Sequence, residues 1–228
     1  MKSSCSFLAA TAVALAAFAS TGSAQTLTLT NPSFELPAVA AGAFSVADVP
    51  GWGKVGTTDI GVHRNGEFGA PTTGSDQLQL LFIGNGQNFG STFQDVVGNT
   101  TVGGAQIASY TFTIALATRG GTFTGNVNVG LQDLTGGTGN VATVTNVVPG
   151  STLSNTTYRD FSVTLPATTV APGDSLRIFI DKGAGNSLIV LDNARLVANA
   201  VPEPSTWAMM LGGLGVLAGA VLRRVRTA

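Results

Sequence analysis

Tyr110-Thr111-Phe112-Thr113-Ile114-Ala115-Leu116-Ala117 sets a large apolar side chain at every second position, with small or hydroxylated residues between. In an extended chain successive side chains point to opposite faces. The run is therefore a half-buried β-strand with Tyr110, Phe112, Ile114 and Leu116 turned inward. The same period of two recurs at Leu78, Leu80 and Phe82, at Val127, Val129 and Leu131, at Phe161, Val163 and Leu165, and at Leu176, Ile178 and Ile180. Turn-forming clusters separate these runs, among them Gly84-Asn85-Gly86, Pro149-Gly150, Pro172-Gly173-Asp174 and Gly183-Ala184-Gly185-Asn186. Between residues 25 and 200 no stretch keeps a helical period, and no segment repeats. About eight to ten strands at this spacing predict an all-β antiparallel sandwich.

Composition points the same way. Charged residues make up 10% of the 228-residue chain, which carries 30 glycines and a net charge of −1. Five charged residues lie outside the 25–200 body: Lys2, Glu203, Arg223, Arg224 and Arg226. The body keeps seven basic and eleven acidic residues, a net −4. Such a surface repels a polyanion, so nucleic acid is excluded as a partner.

Both flanks carry addresses. Residues 1–24 have Lys2, an apolar stretch from Phe7 to Ala19, and then Thr21-Gly22-Ser23-Ala24. That is the order of a secretory signal peptide, with cleavage expected after Ala24. The one cysteine, Cys5, falls in this segment, so the body has neither a disulfide nor a thiol nucleophile. At the other end Val201-Pro202-Glu203-Pro204 precedes an uncharged run ending at Leu222 and the cluster Arg223-Arg224-Val225-Arg226. A single transmembrane helix is expected at residues 206–222. Its sixteen apolar residues reach about 24 Å, just short of a bilayer core. The arginines after it place the C-terminus in the cytoplasm and the body outside.

This tail resembles the PEP-CTERM sorting signal of bacterial exported proteins: Val201, Pro202, Glu203 and Pro204, then a short apolar helix, then a basic end. The resemblance implies recognition by an exosortase, a membrane-embedded cysteine protease-transpeptidase that processes near Pro-Glu-Pro. It also implies association with extracellular polysaccharide. The partners expected are the exosortase, the export machinery, that polysaccharide, and the membrane until processing. The location expected is membrane-anchored first, then cell surface or extracellular.

The body has a resemblance of its own. Asn31-Pro32-Ser33-Phe34-Glu35-Leu36-Pro37, Pro50-Gly51-Trp52, Gln77-Leu78-Gln79-Leu80, Phe93-Gln94-Asp95-Val96 and Val190-Leu191-Asp192-Asn193-Ala194-Arg195-Leu196 occur in an order similar to that of galactose-binding-like jelly-roll domains. That group includes carbohydrate-binding modules and DUF642-type domains. A jelly roll brings its first and last strands together, so Glu35 and Asp192 are candidate oxygen ligands for a structural Ca²⁺; they serve equally as caps for backbone amides. Trp52, His63 and Arg64, with Phe68, are candidates for a sugar site, which needs an aromatic face beside planar polar groups. Trp52 also reads as a core plug after the Pro50-Gly51 turn. His63 sits in Gly61-Val62-His63-Arg64-Asn65-Gly66-Glu67, which reads as a loop. It is the only histidine, and no Gly-x-Ser-x-Gly elbow accompanies it, so no catalytic residue is assigned. The expected function is a noncatalytic, exosortase-sorted surface or matrix protein. The alternatives are a lectin-like module with a specific glycan and a polysaccharide-remodelling enzyme.

Overall fold

The computed structural model describes residues 24–56, 59–84, 89–97, 101–102, 105–134, 142–170, 174–201 and 212–216. Thirteen strands run through them in order: β1 (Gln25–Leu27), β2 (Phe44–Ser45), β3 (Gly53–Gly56), β4 (Ile60–Arg64), β5 (Gln79–Ile83), β6 (Gly90–Val97), β7 (Thr101–Val102), β8 (Ala105–Arg119), β9 (Asn126–Asp133), β10 (Thr143–Pro149), β11 (Arg159–Pro166), β12 (Ser175–Lys182) and β13 (Leu188–Ala200). They exceed the eight to ten expected because β1, β2, β3 and β7 are too short to show a period. Two single 3-10 turns, Gly150–Thr152 and Ala167–Thr169, interrupt them.

The strands form two sheets. One orders β11-β8-β13-β5-β4-β2, with β1 added against β13 and β7 against β8; the other orders β10-β9-β12-β6-β3. All the pairings are antiparallel. The inward faces meet as the alternation requires. Tyr110, Phe112, Ile114 and Leu116 of β8 lie fully buried against Val127, Val129 and Leu131 of β9 and Leu176, Ile178 and Ile180 of β12. Such a core excludes water from both sheets and supplies the main driving force of folding. Trp52 belongs to it: the indole lies 5.0 Å from the Phe34 ring, and its Nε1 donates to the carbonyls of Thr30 and Asn31.

Two departures from the alternation shape the outer side of the larger sheet. Leu78, Leu80 and Phe82, expected inward, share the outer face instead: Leu81 and Ile83 enter the core between the sheets, Leu80 and Phe82 join a second apolar cluster, and Leu78, ahead of β5, is exposed. β5 itself is buried on both faces, so something covers the outer side of its sheet. The first and last strands do pair: Gln25 stands opposite Ala198. Among the described residues no helix is long and apolar enough to cross a membrane. Residues 212–216 are helical, and the rest of the expected span 206–222 lies outside the described residues. So do residues 1–23 of the expected signal peptide, and Pro202, Glu203 and Pro204; Val201 is described, and its amide donates to the Gln106 carbonyl at 2.7 Å.

Candidate functional site

The cover on the larger sheet comes from two irregular segments, residues 65–78 and 153–158. They meet where Thr73 bridges Thr157 and the Tyr158 amide donates to the Thr73 carbonyl. Ala70 and Tyr158 are thereby pressed onto Leu80, Phe82, Ala115, Ala117 and Val190, a second apolar cluster on the sheet's outer face. The Tyr158 hydroxyl donates to Asn65 Oδ1 at 2.9 Å, and burial, with the nearby Asp192 charge, raises its pKa.

Asp192 holds this roof down. Its side chain is fully buried at a β-bulge, where the β13 register shifts against β8 and Asn193 adopts φ 52°. Its Oδ2 accepts the Asp76 amide at 2.7 Å and the Asn65 side-chain amide at 3.5 Å, while its Oδ1 accepts the Asn193 amide at 2.7 Å. Glu35 works from the other side, its Oε1 accepting the amides of Leu78 at 2.9 Å and Gln79 at 2.7 Å. The two carboxylates thus grip neighbouring stretches of one segment, 76–79. Calcium takes six to eight oxygen ligands, whereas the groups converging here are N–H donors. Among the described residues no three acidic or histidine side chains gather as a metal cluster. On its donor chemistry this arrangement fits a pair of amide clamps rather than a Ca²⁺ shell.

His63 lies on β4, not in a loop, and is completely buried beneath the roof. Its ring stacks on Phe82, 5.5 Å between centroids, and meets Phe68 edge-on at 5.3 Å. Phe44 closes the group, 6.2 Å from Phe68 and 6.3 Å from Phe82. The Arg119 guanidinium, at the end of β8, sits 5.5 Å over the Phe68 ring. Phe44 and Phe68 are 61% and 43% exposed, so the cluster opens to solvent through aromatic faces. His63 Nδ1 lies 2.8 Å from the Arg64 carbonyl, which only accepts, so Nδ1 carries the proton and Nε2 keeps a lone pair. Burial lowers the imidazole pKa and keeps it neutral. That Nε2 has no hydrogen-bond partner, and neither does the buried Oε2 of Glu67, whose Oε1 accepts the Gly42 amide at 3.0 Å. Two buried acceptors without protein donors thus lie beside exposed aromatic rings.

The structure joins His63 to Phe68 but not to the other two sequence candidates. Trp52 is in the core, and Arg64, on the opposite face of β4, donates its Nε to the Val39 carbonyl at 3.0 Å. Phe44, Glu67, Phe82 and Arg119 complete the cluster from segments far apart in the chain. The only local signal was Gly66-Glu67-Phe68-Gly69, a turn that exposes an aromatic.

Residues 200–226 match the PEP-CTERM protein-sorting motif, so an all-β sandwich domain here precedes a sorting signal. No curated protein matches the chain in sequence. Among solved structures, the chain is similar to the Stig cyclase Fisc from Fischerella sp. TAU, with TM-score 0.58 at 18% identity over 78% of this chain and all of that one. It is also similar to the MgGH51 α-L-arabinofuranosidase, with TM-score 0.51 at 18% identity over 77% of this chain but only 27% of that one. A looser likeness joins it to the carbohydrate-binding module TmCBM61, solved with β-1,4-galactotriose: TM-score 0.44 and 17% identity over 74% of this chain and 95% of that one. At these identities what is shared is the fold.

Two outcomes are expected of the clamps. Burial pushes Asp192 up to about 7, against an ordinary 3.8, so the folded state holds its proton more tightly than the unfolded chain does. Its contribution to stability is then full below pH 3.8 and lost as pH rises through 7, at about 1.4 kcal/mol for each tenfold difference in proton affinity. Urea melts between about pH 4 and 8 will show stability falling, and Asp192→Asn will flatten that slope while lowering stability throughout. Thermal melts with and without EGTA will coincide; a fall of several degrees in EGTA would restore calcium to Glu35 and Asp192.

Proposed function

We propose that the chain is an exported, noncatalytic surface protein whose sandwich body, residues 25–200, binds extracellular polysaccharide, and whose tail is processed by an exosortase. One observation carries the binding reading: exposed Phe44 and Phe68 frame two buried, unpartnered acceptors, with the Arg119 donor on the rim. A sugar ring offers what that arrangement lacks. Its C–H face packs on an aromatic ring, and its hydroxyls supply donors at fixed angles. The sorting motif supports the address, since it marks exported proteins held at a membrane and then released. Under this reading residues 1–24 are a signal peptide, 206–222 a transient membrane helix, and the β-sandwich a jelly roll of the galactose-binding-like kind.

Native gels cast with polysaccharides test the binding. The wild-type body should be retarded by at least one polymer. The Phe44→Ala/Phe68→Ala double variant should bind about tenfold more weakly, since each stacked ring contributes roughly 0.5–1.5 kcal/mol. Equal migration of all proteins in every polymer would remove the reading. The address has its own test. Intact mass of the protein recovered from a host carrying an exosortase should lack residues 207–226, and a mass that still includes them would refute processing.

A further inference from the structure

The arrangement around His63 says which kind of sugar it takes and how the sugar enters; this rests on the polysaccharide-binding reading. The two unpartnered atoms are out of a ligand's reach while the Phe68 side chain stays in place. His63 is fully buried, and Phe68 packs against its ring. Phe68 itself is held in a left-handed conformation, φ 52°, between Gly66 at φ 78° and Gly69 at φ 83°. A bulky residue at positive φ is strained. The backbone of the turn is tied, Glu67 N–H to the Arg64 carbonyl at 3.3 Å, Ala70 N–H to the Glu67 carbonyl at 2.9 Å and Gly120 N–H to the Gly69 carbonyl at 3.2 Å. The Phe68 ring is held more lightly, by an edge contact to Phe44, another to His63, and Arg119 above it.

We propose that the half-exposed Phe68 side chain is a lid over His63, and that a neutral sugar ring which displaces it donates one hydroxyl to His63 Nε2 and another to Glu67 Oε2. Both atoms are acceptors, so only a ligand carrying two donors satisfies them. A buried acceptor left unpaired costs about 1–3 kcal/mol, which the incoming hydroxyls recover. Charge selects the class. Glu67 and Arg119 act on His63 with opposite signs. A uronate or sulfated sugar would set its own anion against Glu67 on a body of net charge −4. Phe82, stacked with His63, forms the floor, and Phe44 a wall.

His63 is the only histidine in the chain, so its imidazole ¹⁵N signals report this site alone. The experiment titrates the folded body with cellohexaose, a β-1,4-galactan oligosaccharide and an oligogalacturonate. We expect the Nε2 resonance to move with a neutral oligosaccharide, in the direction of an acceptor gaining a hydrogen bond, and to stay put with the uronate. His63→Phe keeps a ring but no lone pair and should weaken neutral-sugar binding about tenfold, the loss of one hydrogen bond from a buried partner. Glu67→Gln, less buried, repeats the test should the His63 variant fail to fold. Gel retardation by a neutral polymer with an unmoved Nε2 signal would overturn the lid and leave polysaccharide binding standing, the two acceptors then sharing a structural water. A response to the uronate alone would overturn the neutral class. Absence of binding to every polymer would remove both readings together.

Discussion

A carboxylate with no access to water must find donors, take up a proton, or unfold the structure around it. Asp192 meets that demand with amides from three places: its neighbour Asn193, Asp76, and the side chain of Asn65. Only one of the three belongs to its own strand. The other two fix a segment without regular structure against the outer face of the sheet. Ser33 donates to Asp76 at 2.6 Å, and Glu35 binds the amides of Leu78 and Gln79, so residues 31–37 are tied into the same knot. Leu80, Phe82 and Val190 can be apolar on a face that would otherwise meet solvent because this roof stays in place. The His63 cluster lies under its edge and depends on it in turn.

Local alternation was readable because it follows from the backbone. Tyr110, Phe112, Ile114 and Leu116 had to share a face, and they do. What covers the other face could not be read that way, since Ala115 and Ala117 look the same whether they meet water or a loop. His63 was hidden by its neighbours. Gly61 and Gly66 flank it and suggest a loop, yet Gly61 is there for packing: a Cβ on it would run into the Ser45 carbonyl of β2. A glycine forced by a close strand and one forced by a turn are identical in sequence. Gly66, at φ 78°, is the second kind. Glu35 and Asp192 were expected together through adjoining first and last strands, yet Glu35 lies beyond β1, and the two carboxylates meet through the segment 76–79 that both hold. Their donors were not legible, since backbone amides leave no mark in a sequence. Arg119 reaches Phe68 across about fifty residues of chain, a contact that no spacing rule reveals.

The long strands also separate the two ends of the body. Gln25 pairs with Ala198, and Val201 bonds the Gln106 carbonyl, so the chain enters and leaves at one end of β8. Arg119 stands at the other, opposite Leu188. At about 3.3 Å per residue the twelve steps from Ile107 to Arg119 span roughly 40 Å. A domain held through its tail would therefore present the Phe44–Phe68 face far from whatever holds it. A site beside the tail would compete with the membrane and the processing enzyme for space. Under the polysaccharide-binding reading, a site at the far end would be open to a polymer whether or not the tail is held.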